Sequence, residues 1–291
     1  IEAGETYTDV DKTMMSIGVS VLPPIPKDTT DRNRTSPFAF TGNKFEFRMP
    51  GSTFNIACTN IMLNTAVAEA LRQFADELET SKDFDSALAA LIQREIKAHK
   101  RIIFNGNGYG AEWPEEAAKR GLLNLKSTPD AIPYYTSDKN VSLFKRHGVY
   151  TKVEMESRGE ILAEEYAKTL HIEAMTMLDM LKKQIVPAVI SCSKELADTV
   201  AVKKSIGVDA PAELDLVKAL TGRTAELLAH QKALEDAVNA APASTQESPR
   251  YYHDVVIPAM EGARKTADAL EMMVGEKYWP FPTYSKILYY V

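Results

Sequence analysis

The chain has 291 residues, enough for one large domain or two ordinary ones, and 45% hydrophobic with 25% charged residues is a globular composition with material for a core. A formal charge of −6 with no Lys/Arg-rich block excludes nucleic-acid binding driven by phosphate attraction. No apolar run approaches the ~18 residues needed to cross a bilayer, so no membrane segment is expected. The two cysteines, Cys58 and Cys192, sit in apolar helical contexts and read as reduced packing residues of a cytoplasmic protein. The start, Ile1-Glu2-Ala3-Gly4-Glu5, has neither a basic-then-apolar leader nor an initiator Met, and reads as the beginning of a piece of a longer chain.

Residues 1–31 read as a polar lead-in or insertion, ending in Leu22-Pro23-Pro24-Ile25-Pro26, where proline excludes helix and central strand. Two short strands are predicted at about Thr35–Phe40 and Lys44–Met49, joined by Thr41-Gly42-Asn43, a spacer of hairpin length. Pro50-Gly51-Ser52 closes the second strand and opens a helix to about Glu79. A second helix, N-capped by Ser81 or Asp83, reaches about Phe104. Residues 105–150 are mixed, with a Gly/Asn-rich loop and two short helical pieces.

From about Lys152 the periodicity is helical almost to the end. Leu178, Leu181, Ile185, Val189, Cys192, Leu196 and Val200 step by three and four along one face, with a kink expected at Pro187. Leu220, Leu227 and Leu234 stand one heptad apart, and Tyr252, Val256, Ala259, Ala263 and Leu270 form a third stripe. Ala241-Pro242-Ala243 breaks the chain between them, and Ser244 with Glu247 has the spacing of a capping box. Three long amphipathic helices with short connections predict an antiparallel bundle. The expected class is therefore α+β, mostly α, in three parts: residues 1–31, residues 32–80 with the strands, and residues 81–291 helical.

Chemistry is most legible in Lys44-Phe45-Glu46-Phe47-Arg48-Met49, where charged and apolar residues alternate strictly. On a strand Lys44, Glu46 and Arg48 share one face. That face is either the solvated side of an edge strand or the lining of a cleft. In a cleft, a carboxylate flanked by cations suits a divalent ion beside phosphate and a substrate carboxylate. Gly106-Asn107-Gly108-Tyr109-Gly110 follows a helix and lacks a Gly-Lys-Ser/Thr continuation, so a helix end with a turn is expected there rather than a phosphate loop. The histidines at 99, 147, 171, 230 and 253 show no paired metal spacing. Glu160, Glu164 and Glu165 read as a solvated helix face.

The run Asp31-Arg32-Asn33-Arg34-Thr35-Ser36-Pro37-Phe38 and its continuation to Glu46-Phe47-Arg48 resembles the end of the glutamine synthetase catalytic domain, in its type III branch. There, an Asn-Arg-x-Ser run precedes a Glu-x-Arg strand. Phe104-Asn105-Gly106-Asn107-Gly108-Tyr109, Trp113, Lys119-Arg120-Gly121-Leu122 and Tyr278-Trp279-Pro280-Phe281-Pro282-Thr283-Tyr284 are similar to the same branch, so the resemblance covers nearly the whole chain. It implies a ligase joining ammonia to glutamate at the expense of ATP through γ-glutamyl phosphate, with magnesium or manganese as cofactor. It also implies a homo-oligomer, a double-ring dodecamer, working in the cytoplasm without nucleic-acid or membrane partners.

By the same resemblance Arg34 contacts glutamate and the transferring phosphate, Glu46 binds metal, Arg48 binds the glutamate carboxylate and Lys44 helps hold ATP. The spacer between Arg34 and Glu46 is shorter than in the commoner types, and Ala39 stands where a second nucleotide-binding arginine is expected. The family's remaining ligands lie upstream of such a segment, so the 291 residues alone are expected to be inactive. The alternative is a helical oligomerisation or interaction module with no catalysis of its own.

Overall fold

The structure, a computed structural model, describes residues 55–104, 106, 108, 110–282 and 284–289, with the backbone of four short extended pieces ahead of them. These pieces are β1 (Met14–Met15), β2 (Ile25–Pro26), β3 (Phe38–Phe40) and β4 (Phe45–Phe47), paired antiparallel as β1 with β2 and β3 with β4. The expected α+β class is corrected to an all-helical one. Of the described residues 77% are helical, and the extended ones make only isolated two-stranded ribbons with two or three residues per strand. Ribbons of that length cannot form a β layer, which needs three or more strands and an apolar face. The predicted strands Thr35–Phe40 and Lys44–Met49 reduce to β3 and β4, and their remaining residues lie outside the described ones.

The chain divides into two compact units, residues 1–125 with 141–151, and residues 126–140 with 152–291. In the first unit, α1 (Ala57–Leu78) and α2 (Phe84–His99) follow the ribbons. Asp83 is the N-cap of α2, its carboxylate accepting from the Ser86 backbone N–H at 3.2 Å, and this settles the choice between Ser81 and Asp83. Cys58 lies exposed at the start of α1 rather than in a core. Next comes α3 (Glu112–Lys119). Gly121 follows it at φ +69°, and the Leu122 N–H reaches back to the Ala117 carbonyl at 2.9 Å. This is a Schellman ending, in which glycine takes the left-handed conformation without a Cβ penalty.

The second unit begins with α4 (Thr128–Tyr135). α5 (Asp138–Arg146) runs across the boundary between the units. The unit is then dominated by α6 (Lys152–Met180), which continues through a π turn (Leu181–Ile185) into α7 (Val186–Ser205). Pro187 was expected to kink this helix. The wide turn immediately before it is the structural response, since proline lacks the N–H and crowds the carbonyl of the preceding turn. The same arrangement recurs after α8 (Pro211–Asn239), where α9 (Ser248–Tyr251) passes through a π turn (Tyr252–Val256) into α10 (Ile257–Glu271), with Pro258 just beyond the turn. A last helix, α11, covers Tyr284–Tyr289.

The sequence stripes form the core of this unit. Leu181, Ile185, Val189 and Cys192 pack with Leu220, Leu227, Ala263 and Leu270, while Leu178 packs with Leu234, Tyr252 and Val256. Leu227, Leu234, Val189, Val256 and Leu270 are all completely removed from solvent. The capping box expected from Ser244 and Glu247 does not form. The helix starts at Ser248, so Ser244 instead accepts from the Gln246 N–H at 3.3 Å in the preceding turn. Among the described residues no helix is long and apolar enough to cross a membrane.

Candidate functional site

Arg34, Lys44 and Arg48 lie outside the described residues, as does the side chain of Glu46. The backbone of Glu46 is described. It sits in β4 opposite Ala39 of β3, with Phe38 opposite Phe47 and Phe40 opposite Phe45. The register therefore pairs the expected metal carboxylate position with the alanine that departs from the family pattern. No distance among the four expected site residues follows from it.

The strongest polar centre among the described residues is Glu69, on the α1 face of the first unit. The spacing of α1 supplies two local donors, Arg72 and Gln73, three and four residues on. Arg72 donates from Nε at 3.1 Å and Nη2 at 2.9 Å, and Gln73 from Nε2 at 2.9 Å. The end of α5 adds Arg146 at 2.5 Å and His147 at 2.8 Å. Hydrogen bonds from Arg72, then Gln73 and His147, hold the Glu69 carboxyl well below the ordinary carboxylate range, with the Arg146 charge acting in the same direction. Both oxygens are thus occupied by the chain's own donors. Such a group anchors α5 to α1; it is not poised to act as a base or to receive a metal.

The anchor has a pH signature. Its folded value lies below its ordinary value of 4.5, so its contribution is full above that pH and is lost as acid carries the carboxylate through its lowered value. Glu69→Gln is expected to speed hydrogen exchange of the amides between residues 141 and 149 already at neutral pH. The parent chain should approach the variant only when acidified well below 4.5. Equal exchange in the two chains at pH 7 would deny Glu69 this role.

The other residues that carried the resemblance have structural work. Phe104 stacks on Trp113 with centroids 4.5 Å apart, and the Arg120 guanidinium lies 5.7 Å from the Trp113 ring centre. Arg120 also donates to the carbonyls of Ile103 at 2.7 Å and Arg101 at 3.1 Å, and to Glu116. These contacts fasten both ends of the Gly/Asn-rich stretch. The preceding helix ends at Ile102, so Gly106 is not its C-cap; the left-handed glycines at helix ends are Gly121, Gly148 and Gly207. At the C-terminal end of the second unit, Lys277 and the Tyr278 hydroxyl both donate to Glu195, and Trp279 meets Phe281 edge-on at 6.1 Å. Both aromatic rings pack on the bundle core.

Among the described residues no three His, Cys, Asp or Glu side chains come together as a metal site. The described residues therefore do not fit a divalent ion, and the expected metal residue, Glu46, has its side chain outside them. His147 and His171 are held by Glu69 and by the Tyr252 hydroxyl at 2.9 Å, as expected of satisfied structural histidines.

Relationships to known proteins are consistent along the chain. Residues 87–204 match the family model of the glutamine synthetase C-terminal domain. The chain is 39% identical over 298 residues to a glutamine synthetase of Butyrivibrio fibrisolvens, a match covering 99% of this chain and 42% of that protein. It is 39% identical over 286 residues to the Type-3 glutamine synthetase of Dictyostelium discoideum, covering 94% of this chain and 39% of that one. A glutamine synthetase of Bacteroides fragilis (strain YCH46) is 33% identical over 294 residues, covering 97% of this chain and 40% of its own. The chain thus spans about two fifths of the length of the curated relatives it matches. Over nearly its whole length the chain is thus similar to part of proteins named glutamine synthetase, and its residues 87–204 match the C-terminal domain of that family.

Proposed function

We propose that this chain is part of a cytoplasmic enzyme that makes glutamine from glutamate and ammonia with ATP. In that reaction an oxygen of the glutamate γ-carboxylate attacks the terminal phosphorus of ATP, and ADP leaves. Ammonia then attacks the acyl carbon and loses a proton as phosphate departs. Transfer of this kind is governed by positioning and by neutralising charge on the moving phosphoryl group. Arg34 contacts the glutamate and that phosphoryl group, Arg48 fixes the glutamate carboxylate, and Lys44 steadies ATP. Glu46 would hold one magnesium or manganese ion, which when bound supplies positive charge beside the phosphates.

The observation that supports this reading is the 39% identity across 99% of the chain with a protein named glutamine synthetase, joined to the unbroken run from Arg34 to Arg48. The helices after Ser81 serve assembly of the homo-oligomer, for which the double-ring dodecamer is the form the family suggests; a sedimenting mass of a single subunit for the intact enzyme would refute this. A single metal carboxylate and two arginines cannot hold ATP, its ions and glutamate together, so the 291 residues alone are expected to form no glutamine.

Arg48→Lys in the intact enzyme tests the assignment of the substrate carboxylate. Lysine keeps the charge and loses the planar fork that meets a carboxylate with two hydrogen bonds. The KM for glutamate should rise at least tenfold while the KM for ATP moves little. An unchanged glutamate KM would remove Arg48 from the glutamate site.

A further inference from the structure

Between α6 and α10 the second unit holds a groove of about 510 Å³, within the size range of small-molecule sites. Buried Ala267 of α10 lines it, and its small side chain leaves the space open. Its walls are soft and apolar. Met177 and Met180 come from α6, Met260 from α10, and the rings of Trp279 and Phe281 complete the lining. Methionine adapts to irregular apolar shapes and contacts aromatic rings favourably through sulfur. Leu181 and Ile185, the two ends of the π turn, both line the groove, so the wide turn shapes its wall; such turns recur at functional sites.

The rim carries three carboxylates, Glu173, Asp268 and Glu271, and one cation, Arg264. Arg264 is engaged by Asp268, with its Nε 3.0 Å and 3.1 Å from the two carboxylate oxygens. Glu173 and Glu271 also border the groove, and among the described residues neither has a cationic partner. The lining thus joins two aromatic rings, three methionines and two carboxylates without a cation, the one rim cation being taken up by Asp268. We propose that this groove binds a small, largely apolar or aromatic molecule carrying one positive charge, with its body on the methionines and Trp279 and its cation at Glu173 and Glu271. The volume matches a ligand of that size, whereas a docked helix would fill only a face of it. The site stands independently of the glutamine-forming reaction.

The test uses the 291-residue chain with its methionine methyls labelled with carbon-13. The probes are 2-phenylethylammonium, 2-phenylethanol and 3-phenylpropionate, which share a ring and differ in charge. The ammonium compound should move the Met177, Met180 and Met260 signals saturably. Buried Met155 and exposed Met272, neither of which lines the groove, should stay still. The alcohol should bind about fivefold more weakly, the size of a partly solvated ion pair, and the carboxylate weaker still. Glu173→Gln with Glu271→Gln changes only exposed side chains and should make the ammonium and alcohol probes equal. Three results overturn the proposal: no saturable movement with any probe, affinities in the parent chain that ignore charge, or shifts that follow protein concentration, which would make the groove a contact between two chains.

Discussion

Glu46→Gln, made in the intact enzyme, is expected to cut glutamine formation by two or more orders of magnitude. Glutamine keeps the size and one carbonyl oxygen of glutamate but removes the charge that a hard divalent cation requires. The loss falls on neutralisation of the phosphoryl group, where one interaction is worth roughly 3–4 kcal/mol of barrier, a factor of 10²–10³. Half-maximal activity should need a much higher magnesium concentration, and the melting temperature should change little, because β4 has only three residues and a single paired strand. Steady-state rates over a magnesium titration check this. A variant as active as the parent at low magnesium would mean that the metal is held elsewhere.

Leu227→Ala should have the largest effect on stability. Leu227 is fully buried on α8, among Leu181, Ile185, Val189 and Ala263. Removing its branched end leaves a cavity that a close-packed helical core closes only in part, costing about 2–5 kcal/mol. That is a large share of the ~5–15 kcal/mol that holds a domain folded. The neighbouring Leu228, about 100° further round the helix, is 44% exposed, and Leu228→Ala should stay within about 0.5 kcal/mol. Urea unfolding of the two variants separates them; similar midpoints would mean that the heptad stripe is not the core contact.

The bundle was legible because its signal is local and periodic. The stripe from Leu178 to Cys192, the heptad Leu220, Leu227 and Leu234, and Tyr252, Val256, Ala263 and Leu270 are buried as their spacing predicts, while Leu196, Val200 and Ala259 are half-buried. Proline marked the irregular turn in the long helix. At Pro187 the helix answers with a π turn, and the same turn stands before Pro258. The capping box failed because a matching pair of residues does not fix where a helix begins, and Ser248-Pro249 supplies the start instead.

Glu69 was half visible. Arg72 and Gln73 stand at helical spacing, but Arg146 and His147 arrive from a distant stretch that no local pattern links to it. The α+β class was inferred from a genuine alternation around Glu46, yet alternation over a few residues says nothing about how many neighbouring strands exist to make a sheet. Of the expected site only the Ala39–Glu46 pairing falls among the described residues. Arg34, Lys44 and Arg48 are expected from resemblance alone, since the alternation around Glu46 by itself favours a solvated strand face.

The most direct measurement is steady-state turnover of the intact polypeptide that contains this chain, supplied with glutamate, ammonium, ATP and magnesium, with glutamine and phosphate followed together. One phosphate released per glutamine formed is the expected result, with no product from the 291 residues assayed alone. ATP hydrolysis without glutamine, or no reaction in the intact polypeptide, would contradict the assignment of this chain to a glutamine-forming enzyme.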